Sequence, residues 1–512
     1  MLLILFFAPI ANGLLLFVLR YCTITEKHRT VYGILDLHFA AVYGIMKQYG
    51  FQYGLRTEPR KDAYVSMDKI GTIARERLSA LFDGGVFTEL DALRTEKDAP
   101  AAVICAHGYV EGQAVCAFAQ APDVNDGVMG KNTAGKIKRL YSLAAKTGTP
   151  LVGIYDSNGV YVDGTADSLT AYGKLIACAA KLSGVVPQIS VIAGVCAGSA
   201  ALLAAEADFV LATESAELYL TPPFGTDAAK PETAAKAGVV AAVCKDDADA
   251  AEQVKSLLRK LPANNLAGAP VAEFDEPAAA CAKDTLLEGI ADAGSLLPLY
   301  EAYGDSVETA LATVRGQAVG IITTCKSADA LTADDSAKMA RFVRTCDAFS
   351  IPVLTVLDTV GFAADTDAAR NGSLRAMTQL CGAYAEATTI KIALIAGEAC
   401  GAAFSAIAGR GAGSDYVIAW SDAAIAPMRP EAAVEFLWHD KLKGAADVNA
   451  KRRELANEYK RTLASAEQAA QIGAIDTVIA AGETRQAIVD ALDLLEGKRV
   501  SNLPKKHSNI PF

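Results

Sequence analysis

Thr147–Gly159 reads TGTPLVGIYDSNG and Phe349–Gly361 reads FSIPVLTVLDTVG. Pro150 aligns with Pro352, Asp156 with Asp358 and Gly159 with Gly361. Each run leads from a proline through a short apolar stretch to an aspartate and then a glycine, the pattern of a buried strand bounded by turns. Two further pairs of runs repeat at nearly the same offset. Gly112-Gln113-Ala114-Val115 recurs as Gly316-Gln317-Ala318-Val319, and ISVIAGVCAGSA at Ile189–Ala200 recurs as IKIALIAGEACGAA at Ile390–Ala403. Spacing drifts by only a few residues across the three, so the chain contains a duplicated domain. In the first copy, strands are expected at Leu151–Tyr155, Ile189–Ala193 and Phe209–Ala212, with a helix at Ser168–Leu182. Strands alternating with helical runs predict an α/β fold with parallel strands joined by helical crossovers. Gly194 to Ser199 and Gly397 to Ala403 each follow a strand and precede an apolar helix. Small side chains at such a turn let a ligand approach the backbone, and a helix N-terminus offers free N–H groups.

The boundary between copies is expected at Leu261-Pro262-Ala263-Asn264-Asn265, followed by a Pro/Ala-rich stretch. Residues 67–110 are read as a helical lead-in, and a helix at Val448–Ala469 closes the second copy. Three segments result: an apolar extension over 1–66, a first domain over 67–300 and a second over 301–512.

Composition excludes several classes. The 512 residues carry 48 Lys and Arg against 59 Asp and Glu, a net charge of −11, which argues against a nucleic-acid partner. Eleven cysteines at scattered spacings include no Cys-x-x-Cys pair, and none of the five histidines sits at metal-ligand spacing. That pattern predicts a reduced intracellular protein with no metal site.

Met1–Leu19, MLLILFFAPIANGLLLFVL, is nineteen residues without a charge, followed by Arg20, Lys27, His28 and Arg29. It is just long enough to span a bilayer, although Pro9, Asn12 and Gly13 weaken it as a helix. The basic residues behind it would keep the rest of the chain in the cytoplasm, with residues 1–19 as its membrane attachment. A competing reading starts from composition. Residues 1–66 hold eleven of the 36 aromatic residues and only five alanines, the break that a start placed too far upstream would leave.

Several runs carry a family resemblance: ARERL at Ala74–Leu78, KTGTPLVGI at Lys146–Ile154, SGVVPQIS at Ser183–Ser190, RFVRTCDAFSIPV at Arg341–Val353, YAEAT at Tyr384–Thr388 and the terminal PKKHSNIPF at Pro504–Phe512. Over roughly 67–512 the chain resembles the carboxyltransferase subunits of biotin-dependent acyl-CoA carboxylases and decarboxylases, of the propionyl-CoA and methylmalonyl-CoA type. The resemblance implies two tandem crotonase-like (ClpP-like) domains, the first binding acyl-CoA and the second carboxybiotin. It implies a homo-oligomer, dimers stacked into a hexamer, with the site between the first domain of one subunit and the second domain of another. Biotin would arrive on a separate biotin carboxyl carrier protein. A biotin carboxylase or membrane decarboxylase subunits would complete the complex.

The same resemblance implies that backbone N–H groups hold two oxyanions, an enolate and a ureido oxygen. By position the donors would be Gly198 and Ser199 in the first copy and Ala402 and Ala403 in the second. Gly159, Tyr161, Gly361, Gly401 and Ser405 would line the substrates, with Ser405 influencing acyl-chain choice. Asp156 and Asp358 are read as structural caps at equivalent strand ends. The chain also departs from the family. Gly198-Ser199 stands where Gly-Gly is usual, Gly401-Ala402-Ala403 where Gly-Gly-Ala is usual, and Gly159-Val160-Tyr161 lacks a basic residue. Thr359-Val360-Gly361-Phe362 and Pro222-Pro223-Phe224 also differ. The expectation is an active, divergent enzyme, with a non-catalytic or reduced-activity partner subunit as the alternative. A crotonase hydratase is disfavoured, because it would require acidic side chains at the oxyanion site.

Overall fold

The computed structural model describes residues 5–10, 13–18 and 71–509, except 98, 162–165, 224–225, 278 and 327–328. The chain divides into two compact units, Met1–Ser66 and Met67–Phe512. In the first, Leu5–Ile10 pairs antiparallel with Gly13–Val18, Ile10 opposite Gly13. The apolar run is therefore a hairpin and not the spanning helix considered above. Pro9 cannot donate within a helix. The basic residues behind it, and Met67, lie outside the described residues. Among the described residues no helix is long and apolar enough to cross a membrane.

The second unit holds two eight-stranded sheets of matching topology. The first is built from β1 (Phe87–Leu90), β2 (Val103–Val110), β3 (Gln113–Gln120), β4 (Leu151–Ser157), β5 (Gln188–Ala197), β6 (Phe209–Thr213), β7 (Glu217–Tyr219) and β8 (Ala242–Cys244). The second is built from β9 (Leu297–Leu299), β10 (Glu308–Val314), β11 (Gln317–Thr323), β12 (Val353–Thr359), β13 (Lys391–Cys400), β14 (Tyr416–Trp420), β15 (Ala424–Ala426) and β16 (Thr477–Ile479). Strand order is β8-β6-β5-β4-β3-β2-β1 with β7 on β5, and β16-β14-β13-β12-β11-β10-β9 with β15 on β13. Every strand of the second sheet thus repeats the strand eight earlier. Because β9 pairs with β10, the second sheet starts before residue 301.

The repeated Gly-Gln-Ala-Val runs are hairpin turns. Glu111 and Gly112 have φ 52° and 73°, and Arg315 and Gly316 have 50° and 77°. Two successive left-handed residues are what a tight two-residue hairpin requires. Antiparallel pairing is therefore confined to one side of each sheet, β1–β3 and β9–β11. From β3 and β11 onward the strands run parallel, through helical crossovers.

The helices that frame the sites are α1 (Thr72–Leu81), α2 (Lys131–Thr147), α3 (Ala166–Leu182) and α4 (Ser199–Ala205) in the first copy. In the second they are α5 (Ala333–Ala348), α6 (Ser373–Glu386) and α7 (Val448–Leu463). Among the described residues of the expected lead-in over 67–110, α1 is the only α-helix, with a short 3-10 turn at Asp83–Gly85 behind it; β1 and β2 take up much of the rest. The expected closing helix stops at Leu463, and Ser465 caps a new helix, Ala466–Gln471. One face of β4 and β5 packs on α2 and α3 through Leu151, Tyr155 and Ile192. The other face, with Val152, Ile154 and Val191, belongs to a core that continues through the second sheet and α5. β4 is thus buried on both sides, which is why its sequence shows no alternation.

Candidate active site

Both sheets carry the same irregularity at their centre. Pairing of β4 with β5 slips between Tyr155 and Ser157, and pairing of β12 with β13 slips between Leu357 and Thr359. Asp156 and Asp358 sit at these slips. A Cβ on Gly194 would fall 2.2 Å from the Asp156 carboxylate, and one on Gly397 would fall 2.2 Å from that of Asp358. Each glycine is therefore the space that its aspartate occupies. Asp358 Oδ1 accepts the Glu398 N–H at 2.9 Å, and the Asp358 N–H donates to Thr324 Oγ1 at 2.9 Å. The Asp156 N–H donates in the same way to Gln120 Oε1 at 3.1 Å. Each carboxylate meets a cation: Arg77 Nη1 lies 2.7 Å from Asp156 and Lys283 Nζ 2.6 Å from Asp358. Asp358 braces the neighbouring strand through the Glu398 N–H, and Asp156 is held by Arg77; neither caps a helix.

Four residues beyond Gly194 and Gly397 the chain turns. Gly198 and Gly401 have φ 61° and 58°, the left-handed region that a side chain disfavours. The Gly198 N–H donates to Tyr219 O at 2.8 Å, and the Gly401 N–H donates to Ala426 O at 2.8 Å. These bonds fix the equivalence of the copies as Gly198 with Gly401, Ser199 with Ala402 and Ala200 with Ala403. The expected donors do not follow this register. The Gly198 N–H is already engaged by Tyr219, and Ala403 is fully buried at 0% exposure. The equivalent N–H groups that remain are those of Ser199 and Ala402, half-buried and exposed respectively. Neither has a protein acceptor among the described residues, as expected for the first residues of a helix.

The family departures fall where the backbone tolerates them. Ser199 opens α4, and Ala402 and Ala403 have negative φ, so a Cβ there needs no strained conformation. The two glycines whose φ is positive are both retained.

The loop after each aspartate lies at the same carboxyl ends of the parallel strands. Gly159 and Gly361 have φ 109° and 114°, and each N–H is tied back to a side chain two residues earlier, Ser157 or Thr359. Gly361 lies against the second turn, since a Cβ on it would be 3.6 Å from Cys400 O. The next N–H groups, of Val160 and Phe362, have no protein acceptor among the described residues. Sequence reasoning missed both, because an unengaged backbone donor leaves no mark on residue type. Tyr161 accepts from Asn125 Nδ2 at 3.2 Å and carries Lys97 Nζ 4.2 Å above its ring. The loop that lacks a basic residue therefore has an ammonium beside it from elsewhere in the chain. Ser405 is exposed on the turn after Ala403, its hydroxyl donating to Ala402 O at 3.3 Å. Phe224 is outside the described residues. Burial pushes the Cys400 thiol up to about 11 and that of Cys196 higher still, so neither cysteine beside the turns is a thiolate at neutral pH.

Residues 68–510 match the carboxyl transferase domain family. The chain is similar to the methylmalonyl-CoA decarboxylase subunit alpha of Propionigenium modestum, 35% identical over 482 residues that cover 86% of this chain and 93% of the relative. It is similar to the propionyl-CoA carboxylase carboxyltransferase subunit of Haloferax mediterranei, 33% identical over 489 residues, 87% of this chain and 94% of the relative. Among solved structures it resembles transcarboxylase 12S, a hexamer assembly with methylmalonyl-coenzyme A and methylmalonic acid bound. That likeness has a TM-score of 0.80 at 30% identity, over 96% of this chain and 100% of the other.

Proposed function

Because the chain belongs to the carboxyl transferase domain family, we propose that it is the carboxyltransferase subunit of a biotin-dependent acyl-CoA carboxylase or decarboxylase. It transfers a carboxyl group between carboxybiotin and the α-carbon of a short acyl-CoA of the propionyl-CoA and methylmalonyl-CoA type. The observation that carries this reading is the duplicated turn, with one unengaged N–H at the same place in each copy of a fold that matches a methylmalonyl-CoA-bound relative.

We assign the first copy, 67–300, to acyl-CoA and the second, 301–512, to biotin. Carboxybiotin on a separate carrier would supply the carboxyl group and, once CO2 has left its ureido nitrogen, the base at that nitrogen. The turns fit two small oxygen acceptors, since each offers a helix N-terminal donor, and in the second copy the loop at Gly361 lies against the turn. The Ser199 N–H donates to the thioester oxygen as negative charge builds there, and the Ala402 N–H donates to the ureido oxygen. One such donor contributes about 2.7–4 kcal/mol of transition-state stabilisation. Gly159 and Gly361 let each ligand reach the backbone, while Tyr161 and Ser405 shape the rims. The working form is a cytoplasmic homo-hexamer that receives the biotin carrier protein, with the apolar hairpin within residues 1–19 as a surface attachment that does not span the membrane.

The test is the purified full chain with free biotin and methylmalonyl-CoA. Biotin-dependent formation of propionyl-CoA by a particle six times the 53.4 kDa chain mass is the expected result. No turnover from an intact oligomer would overturn the reading.

A further inference from the structure

The two aspartates are equivalently placed but differ in the cation that each meets. In the first copy Arg77, on α1, is anchored three ways: to Asp156 and Asp247, each at 2.7 Å, and to Ala193 O at 2.9 Å. Its side chain is only 10% exposed. In the second copy the cation is Lys283, from the segment between the two sheets, with one ion pair among the described residues, to Asp358, and a side chain 64% exposed. Asp358 itself is 18% exposed, so removing the ammonium leaves a largely buried carboxylate facing protein.

We propose that Lys283 is the positioning residue of the second turn, holding the donor end of the biotin site through Asp358. The assignment to biotin rests on the reading above; the positioning itself does not. The path is short and continuous. Lys283 holds Asp358 Oδ2, and Asp358 Oδ1 holds the Glu398 N–H. The missing side chain of Gly397 leaves room for the carboxylate beside the strand. Glu398, Ala399 and Cys400 then pair in register with β15 and deliver Gly401 to Ala426 O, which sets the direction of the Ala402 N–H. A carboxylate released from Lys283 can turn to solvent, and the Glu398 N–H then loses its acceptor at the start of that path. Arg77 holds Asp156 more firmly than Lys283 holds Asp358, since a guanidinium makes several fixed bonds where an ammonium swivels about one. The second turn is therefore the one that a single substitution loosens.

The experiment compares full-length wild type, Lys283→Met and Lys283→Arg, each first shown to keep oligomeric state and melting temperature. Amide hydrogen exchange is read in two peptides, one covering 395–404 and the other covering 192–201. Lys283→Met is expected to speed exchange at least tenfold in the first and leave the second unchanged, and Lys283→Arg should restore protection. In steady-state assays Lys283→Met should lower kcat at least tenfold and raise KM for biotin, with KM for methylmalonyl-CoA within twofold. Unchanged exchange in 395–404 would overturn the proposal, as would loosening of both peptides alike. A wild type with no carboxyl transfer would sink the functional reading, while the exchange result would still decide the role of Lys283.

Discussion

Proline is the substitution that isolates the two turn donors. Ser199 and Ala402 each occupy the first residue of a helical turn, where proline fits because no intrahelical bond is lost. The glycine ahead of each has the freedom that a residue before proline needs. Ser199→Pro and Ala402→Pro should each lower kcat by about 10²–10³, the scale of one oxyanion donor, with the melting temperature unchanged. Ser199→Ala should stay within about tenfold, or about 1.4 kcal/mol, because the hydroxyl is not the donor. Asp208 offers a second test away from the site. Burial pushes its carboxyl up to about 6, even though it accepts the Gln188 N–H at 2.8 Å. A folded pKa above the unfolded one means that folding takes up a proton between about pH 4 and 6. Stability therefore falls as pH rises through that window. Asp208→Asn should raise stability by about 1–2 kcal/mol at pH 7 and change nothing at pH 4, as read from urea unfolding at both pH values. At this scale the sequence revealed the residues that are unusual, such as Asp156, Asp358 and the turn glycines. It concealed which N–H groups are engaged, because Tyr219 O and Ala426 O come from strands whose pairing residue type does not announce.

Gly397→Ala tests the brace as an element. Its Cβ would fall 2.2 Å from Asp358 Oδ1, and the carboxylate can move only by giving up the Glu398 N–H. Overpacking of this kind costs about 1–3 kcal/mol, which should appear in the unfolding midpoint together with a loss of turnover. A duplicated pair of lysines shows how far the repeat extends into the elements. Lys136 on α2 donates to Val103 O at 2.8 Å, and Lys338 on α5 donates to Val307 O at 2.6 Å, both ammonium groups buried. Lys338 is also held by Tyr303 O at 2.8 Å. The copies were recognisable from turns and strand ends, where glycine, proline and aspartate are dictated by backbone geometry. β2 and β10 were not foreseen as hairpin partners of β3 and β11, because much of each of these strands is buried on both faces and shows no period of two. The lead-in over 67–110 misled because α1 is the only α-helix among the described residues of that stretch.

Across the whole molecule the two copies are held by more than adjacency. The Tyr300 N–H, next to β9 of the second sheet, donates to Ala241 O, next to β8 of the first, at 2.7 Å, and Arg341 Nη2 on α5 donates to Ala207 O at 2.9 Å. The apolar core behind β4 and β5 runs on into the second sheet. The duplication could be read from the sequence; the merging of the cores could not, because apolar residues look the same whichever copy they face. That shared core has a consequence for taking the gene apart. Residues 67–262 or 263–512 made alone would each present an uncovered apolar face of the kind that drives aggregation. Made together in one cell, the fragments should find each other and co-purify as a nicked protein, since what joins them is burial and not the peptide bond at Pro262. Recovery of either fragment as a soluble, folded monomer on its own would show that the partition runs deeper than the core suggests.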